Sequence, residues 1–165
     1  FENPWEQSLT GSNPVPSAYI MKNNRLLIGG AIIFKDTRRK RSWLIVKEEK
    51  DGDWEIPKVT GRKGESSVRS VIRMTGEQAG INARVLEEAG RVEGETTVNG
   101  KTVRKRTLYY LMMQRSASEI FGFGDFEWLE YSKAYKKISS RREKIMLSQA
   151  REVLKQWEKG NPRVK

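Results

Sequence analysis

The sequence predicts an α/β (α+β) fold, a mixed β-sheet sandwiched between helices, and three observations predict it. Apolar runs bounded by turn signals stand on both sides of one helical stretch. A second, longer helical stretch closes the chain. The resulting order is strand, strand, loop, helix, strands, helix, which a sheet covered on both sides accommodates. The 165 residues are about one domain's worth and enough for one core. We expect an extended arm over residues 1–24, a single domain over 25–160 and a tail over 161–165.

Element by element, residues 1–24 carry Pro4, Pro14, Pro16 and Gly11, with Trp5 and Tyr19 as aromatic anchors, a composition for irregular chain. Leu26–Phe34 and Ser42–Val46 read as two strands joined by a charged hairpin, with Gly29-Gly30 marking a close backbone approach or a bulge. Asp51-Gly52 signals a turn before extended Trp54, Ile56 and Pro57. From Ser66 to Ala79, Val68, Val71, Ile72 and Ala79 recur at helical steps, and Gly80 stops the helix. Its other side carries Glu65, Arg69, Arg73 and Glu77 at four-residue spacing.

Ala83–Val92 and Val103–Gln114 read as strands, with Asn99-Gly100 turning between them, and Phe126–Leu129 as a short one. Ser140 with Glu143 forms a capping-box pattern. It opens a helix whose stripe is Met146, Leu147, Ala150, Val153, Leu154 and Trp157, ended by Gly160 and Pro162.

Absences narrow the chemistry. Without cysteine there is no disulfide, thiolate metal site or thiol nucleophile; without histidine there is no imidazole base or ligand. Catalysis has to rest on carboxylates, Lys, Arg, Tyr or a hard metal held by oxygen. No apolar run approaches the length of a membrane span. The chain begins at Phe1, which leaves a removed targeting segment open, and we expect a cytoplasmic protein. The 32 Lys and Arg against 21 Asp and Glu give a formal charge of +11 and favour anionic partners. The runs Arg38-Arg39-Lys40-Arg41 and Arg104-Lys105-Arg106 suggest a phosphate-binding face. Arg38, Arg39, Arg41, Arg104 and Arg106 are its candidate ligand contacts, and Tyr109, Tyr110 and Phe123 its candidate stacking rings. Since Tyr109 and Tyr110 alternate along a strand, one of them should face the core.

Residues 54–81, WEIPKVTGRKGESSVRSVIRMTGEQAGI, resemble the box of the Nudix hydrolase family, Gly-x5-Glu-x7-Arg-Glu-U-x-Glu-Glu-x-Gly-U with U aliphatic. Glu65, Arg73, Glu77, Gly80 and Ile81 match at the right spacing, and the resemblance extends over roughly residues 25–158. It implies that Glu65, Arg73 and Gly80 brace the loop and helix. It also implies that positions 74, 77 and 78 share a helix face and hold magnesium against a diphosphate. Here those positions are Met74, Glu77 and Gln78, while Val59 replaces the first glycine and Thr75 an aliphatic residue. One carboxylate of three remains, so Glu77 is the residual catalytic and metal candidate, and magnesium binding is expected to be weak. A further acidic residue from a late loop would align with Gly122, or with Asp125 or Glu127 if the loop is shifted.

Three functions are compatible with this pattern. The first is a Nudix-like domain that binds a nucleotide-like diphosphate or RNA with weak or absent phosphoanhydride hydrolysis. The second is a divergent magnesium-dependent hydrolase of nucleoside diphosphate-linked substrates, and the third an assembly component docking on RNA or protein.

Overall fold

The structure, a computed structural model, describes residues 25–116 and 119–162. Strand β1 (Arg25–Thr37) is apolar almost without interruption from Leu26 to Phe34, as suits a strand covered on both faces. It runs parallel to β5 (Lys101–Gln114). Its other edge takes two antiparallel partners in turn: β3 (Lys58–Thr60) at Ile28–Gly30 and β2 (Lys40–Lys47) at Phe34–Thr37. β4 (Ala83–Val98) flanks β5 and β6 (Asp125–Leu129) flanks β2, giving the order β4-β5-β1-β2-β6 with β3 beside β1.

Helices cover both faces. α1 (Ser67–Arg73) lies on one, where Val71 joins Ala31, Ile33, Leu44, Val59 and Tyr110 in a buried cluster. α3 (Arg141–Gly160) lies on the other with Met146, Leu147, Ala150 and Leu154 against Phe34, Trp43 and Leu111. Gly29 and Gly30 are a close approach on opposite faces. A Cβ at Gly29 would fall 2.5 Å from Val71 Cγ2, and one at Gly30 would fall 2.4 Å from the Tyr109 ring. Among the described residues no helix is long and apolar enough to cross a membrane.

Four expectations need correction. β4 continues to Val98 because Asn99 and Gly100 both take positive φ in a two-residue turn, so the ladder runs on to Val98 opposite Lys101. The charged hairpin shrinks to the turn at Arg38-Arg39, its flanks being paired strand. A short helix, α2 (Tyr131–Lys137), was not legible because it buries only Ala134 and so carries no apolar period. The box helix ends as α-helix at Arg73, six residues early. The arm over residues 1–24, with Trp5 and Tyr19, lies outside the described residues, as do residues 163–165.

Candidate functional site

The loop leading into α1 is held by Glu65. Its Oε2 accepts from Arg73 Nε at 2.8 Å; its Oε1 accepts from Arg73 Nη2 at 2.9 Å, Ser70 Oγ at 2.8 Å and the Arg62 amide at 3.0 Å. A two-point arginine–carboxylate bond fixes orientation as well as distance. The Arg73 hydrogen bonds are the largest cause that lowers the Glu65 carboxyl to about 2. Both acidic oxygens are therefore spent on structure, and Glu65 and Arg73 work as a brace. Arg69 and Glu77 stay exposed, so the four-residue stripe is one ion pair rather than a continuous charged face.

After Arg73 the backbone widens into a π-helical turn, Met74–Gln78, in which the Ala79 amide donates to Met74 O at 2.9 Å. Thr75 supplies a reason. Its hydroxyl donates back to Val71 O at 3.0 Å and Ile72 O at 3.2 Å, competing with the backbone donors, and Gly76 behind it is the weakest ordinary helix former. The turn swings Met74 into the core at 2% exposure, leaves Gln78 half-buried and points Glu77 to solvent. Gly80 closes the turn at φ +68, where a Cβ would strike Phe121. Gly122 packs against the same turn, its missing Cβ lying 2.6 Å from Gln78 O.

The basic and aromatic candidates do not converge. Arg38 and Arg39 sit at one end of β1, while Arg104 pairs with Arg25 at the other. Arg41 stands opposite Asp36 and Arg106 opposite Leu27 on β1, so the near ends of the two runs are about 30 Å apart at 3.3 Å per residue. Arg41 is tied to Asp36 at 2.7 Å and to Glu158 at 3.1 Å, and Arg106 to Glu93 at 2.6 Å. Both tyrosines face the core, Tyr109 at 4% and Tyr110 at 8% exposure, one on each side of the sheet. Neither has a ring face for a base. Phe123 is half-buried against the α1-side cluster, and the exposed ring of that loop is Phe121.

On the α3 side the structure assembles a polar cluster that the sequence did not bring together. Lys58 Nζ lies 2.8 Å from Glu143 Oε2 and 2.9 Å from Glu55 Oε1. Glu143 also accepts from Tyr109 OH at 2.8 Å and from the Ile56 amide at 3.0 Å. Ser140 Oγ accepts from the Glu143 amide as a capping box requires, but the Glu143 carboxylate turns into the interior. Burial opposes charge on Lys58, yet Glu143 and Glu55 outweigh it and raise its pKa. Burial raises Glu55 and, with Glu143 beside it, Tyr109. The cluster borders a cleft of about 510 Å³ between β3, β4, β5 and the start of α3, also lined by Lys105 and Arg142. The signal available beforehand was a lysine inside the apolar stretch Ile56–Val59.

The architecture is similar to solved structures at low sequence identity. A C. elegans Ap4A hydrolase in a binary complex matches with a TM-score of 0.65 at 20% identity, over 79% of this chain and 98% of that one. The fold is that of the Nudix hydrolases. The Nudix domain of Shewanella oneidensis NrtR, complexed with ADP ribose, matches with a TM-score of 0.60 at 19% identity, over 93% of this chain and 99% of that one. The E. coli dihydroneopterin triphosphate pyrophosphohydrolase matches at 0.58 and 12%, over 74% and 92%. No protein-family model matches the sequence, and no curated protein matches it either.

Nudix hydrolases imply magnesium, and the residues of this Nudix fold do not suit it. A hard cation needs several oxygen ligands, charged ones among them. Met74 is sealed in the core, Gln78 offers a neutral amide and Glu77 alone keeps a carboxylate on the turn. In the late segment Asp125 accepts from the Phe126 amide and Glu127 is held by Lys137 at 2.8 Å. Among the described residues no three acidic side chains come together as a metal site.

Proposed function

We propose that this Nudix-fold domain binds a nucleotide-like diphosphate and hydrolyses its phosphoanhydride weakly or not at all. The observation that carries the reading is the division within the box. The Glu65–Arg73 brace that shapes the loop is complete, while the π turn withdraws Met74 into the core and leaves Glu77 as its lone carboxylate. A fold can keep its binding shape after the charges that activate water are gone, because the two depend on different residues. Support for the ligand class comes from the neighbours named for Ap4A and ADP ribose and from the +11 charge. The separation of the two basic runs favours a small ligand over an extended RNA strand, which would need one continuous cationic track. We place the protein in the cytoplasm, and cell fractionation checks that location.

Titration calorimetry with ADP ribose, ADP and Ap4A, run beside phosphate release with magnesium and manganese, tests the proposal. Saturable binding with turnover far below about 1 per second supports it. Turnover at that rate or above overturns it in favour of a working hydrolase. Absence of binding to every compound, with RNA captured instead, overturns it in favour of an assembly role.

A further inference from the structure

We propose that the outward face of α2 and α3 is a docking track for a single strand of nucleic acid. Its parts are the cations Arg141, Lys144, Arg151, Lys155 and Lys159 of α3 and the rings of Tyr131 and Tyr135 on α2. It goes beyond the diphosphate reading and needs a surface of its own: the two basic runs form no continuous cationic track, and α3 carries one.

The track follows from helical spacing. Steps of three, seven, four and four residues are each close to a whole number of helical turns, so the five cations share one stripe. The stripe runs nearly the length of α3, about 27 Å at 1.5 Å per residue. It lies beside the buried stripe of Met146, Leu147, Ala150 and Leu154, so the core makes no use of it. Two stacks show that α2 lies alongside. Arg151 Cζ is 3.8 Å from the centre of the Tyr131 ring, and Lys144 Nζ is 5.4 Å from that of Tyr135. The two rings are 6.0 Å apart on successive turns of α2. Lys144 Nζ also donates to Lys136 O at 3.3 Å, a carbonyl in the last turn of α2. Cations and rings therefore alternate where the two helices meet.

Positive charge is left over on this face. Glu130, Glu143, Glu152 and Glu158 already face Lys40, Lys58, Lys155 and Arg41 respectively. Arg141, Lys144, Arg151 and Lys159 have no acidic partner among the described residues, and all but Lys144 are exposed. The Lys155–Glu152 pair is exposed on both sides, so it is worth little and exchanges readily. A row of cations without carboxylates is the electrostatic footprint of a phosphate backbone. The rings then choose among polyanions. A single strand offers unstacked bases to Tyr135, which is 38% exposed, and to the Arg151 guanidinium, whereas a duplex keeps its bases stacked inside. A bilayer surface fits less well, because α3 spends its apolar stripe on the core and exposes only Ile145 among its large apolar residues.

Fluorescence anisotropy on the full chain tests the proposal with labelled oligouridine and oligothymidine, a duplex of the same length and polyglutamate, each over a range of salt. The variants are Arg151→Gln with Lys155→Gln, Arg141→Gln with Lys159→Gln, Tyr135→Leu, and Arg38→Ala with Arg39→Ala. Single strands should bind saturably and weaken as salt rises. Each of the two α3 double variants should lose about tenfold or more at low salt, with a log–log salt slope shallower by about 0.7 for each phosphate contact removed. Tyr135→Leu should lose about fivefold or more through stacking. The Arg38/Arg39 variant should bind as the parent does, and thermal midpoints of all variants should stay near the parent's. The Arg141/Lys159 variant touches neither ring, so it keeps the test decisive should Arg151 prove needed for folding. Oligouridine and oligothymidine separate RNA from DNA as the source of the strand. Saturating ADP should leave strand binding unchanged, so this proposal and the diphosphate reading fail separately. No binding at low salt, equal loss in the Arg38/Arg39 variant, a duplex bound as tightly as a single strand, or full affinity in Tyr135→Leu would each overturn it. Polyglutamate binding as tightly as oligouridine would overturn it too and give the face to an acidic protein.

Discussion

Lys58 on β3 and Glu143 on α3 are 85 residues apart in sequence and 2.8 Å apart in space, and their ion pair joins the box lead-in to the terminal helix. The Glu143 side chain is 6% exposed, so the pair works under little solvent screening. It is also completed by Tyr109 and the Ile56 amide, which satisfies the remaining lone pairs of the carboxylate.

Lys58→Met should therefore destabilise the domain by about 3 to 5 kcal/mol, because it leaves buried Glu143 and half-buried Glu55 without their counter-ion. Glu143→Gln should cost less, and the double variant should fall short of the sum by about 0.5 to 3 kcal/mol. Urea unfolding of the four chains measures the coupling. Additive losses would mean that the pair is not an energetic unit.

Acid should loosen the Glu65–Arg73 brace before it unfolds the core. The folded-state Glu65 carboxyl sits at about 2 against an ordinary 4.5, so its contribution is present above pH 4.5 and is lost as pH falls toward 2. After allowance for solvent screening this is about 1 to 2 kcal/mol. Glu65→Gln should flatten the stability curve between those pH values and lower stability at pH 7. An unchanged acid limb would place the brace outside the folding equilibrium.

Restoring the box glutamates should not act uniformly. Gln78→Glu adds a charge at a half-buried position beside exposed Glu77 and should raise magnesium affinity at little cost in stability. Met74→Glu places an unpaired carboxylate at a site 2% exposed and should cost about 3 to 5 kcal/mol. Magnesium calorimetry and urea midpoints on each variant decide it. A stable Met74→Glu chain that binds magnesium would show that the turn can return to α-helix.

Trp157 is only partly buried, with the Arg84 guanidinium 5.8 Å from its ring. Trp157→Ala should cost about 1 to 3 kcal/mol, below the range for a fully buried ring. The urea midpoint reads it directly. A loss above that range would mean that the ring anchors α3 more deeply than its exposure implies.

The sequence alone determined the sheet with helices on both faces, the Glu65–Arg73 spacing and the capped terminal helix. Each is written in local signals: runs of apolar residues, a fixed motif spacing, a serine three residues before a glutamate. Those signals survive because a strand, a helix turn and a cap are formed by neighbours in the chain. Only the tertiary structure decided that Met74 is core, that both Tyr109 and Tyr110 are buried, and that Arg38 and Arg104 stand at opposite ends of one strand. It also decided that the Glu143 carboxylate belongs to Lys58 and not to its own helix terminus. The physical reason is common to all of them. Burial, ion pairing and the place a side chain points depend on what arrives from distant parts of the chain, and periodicity reports only which face a residue is on.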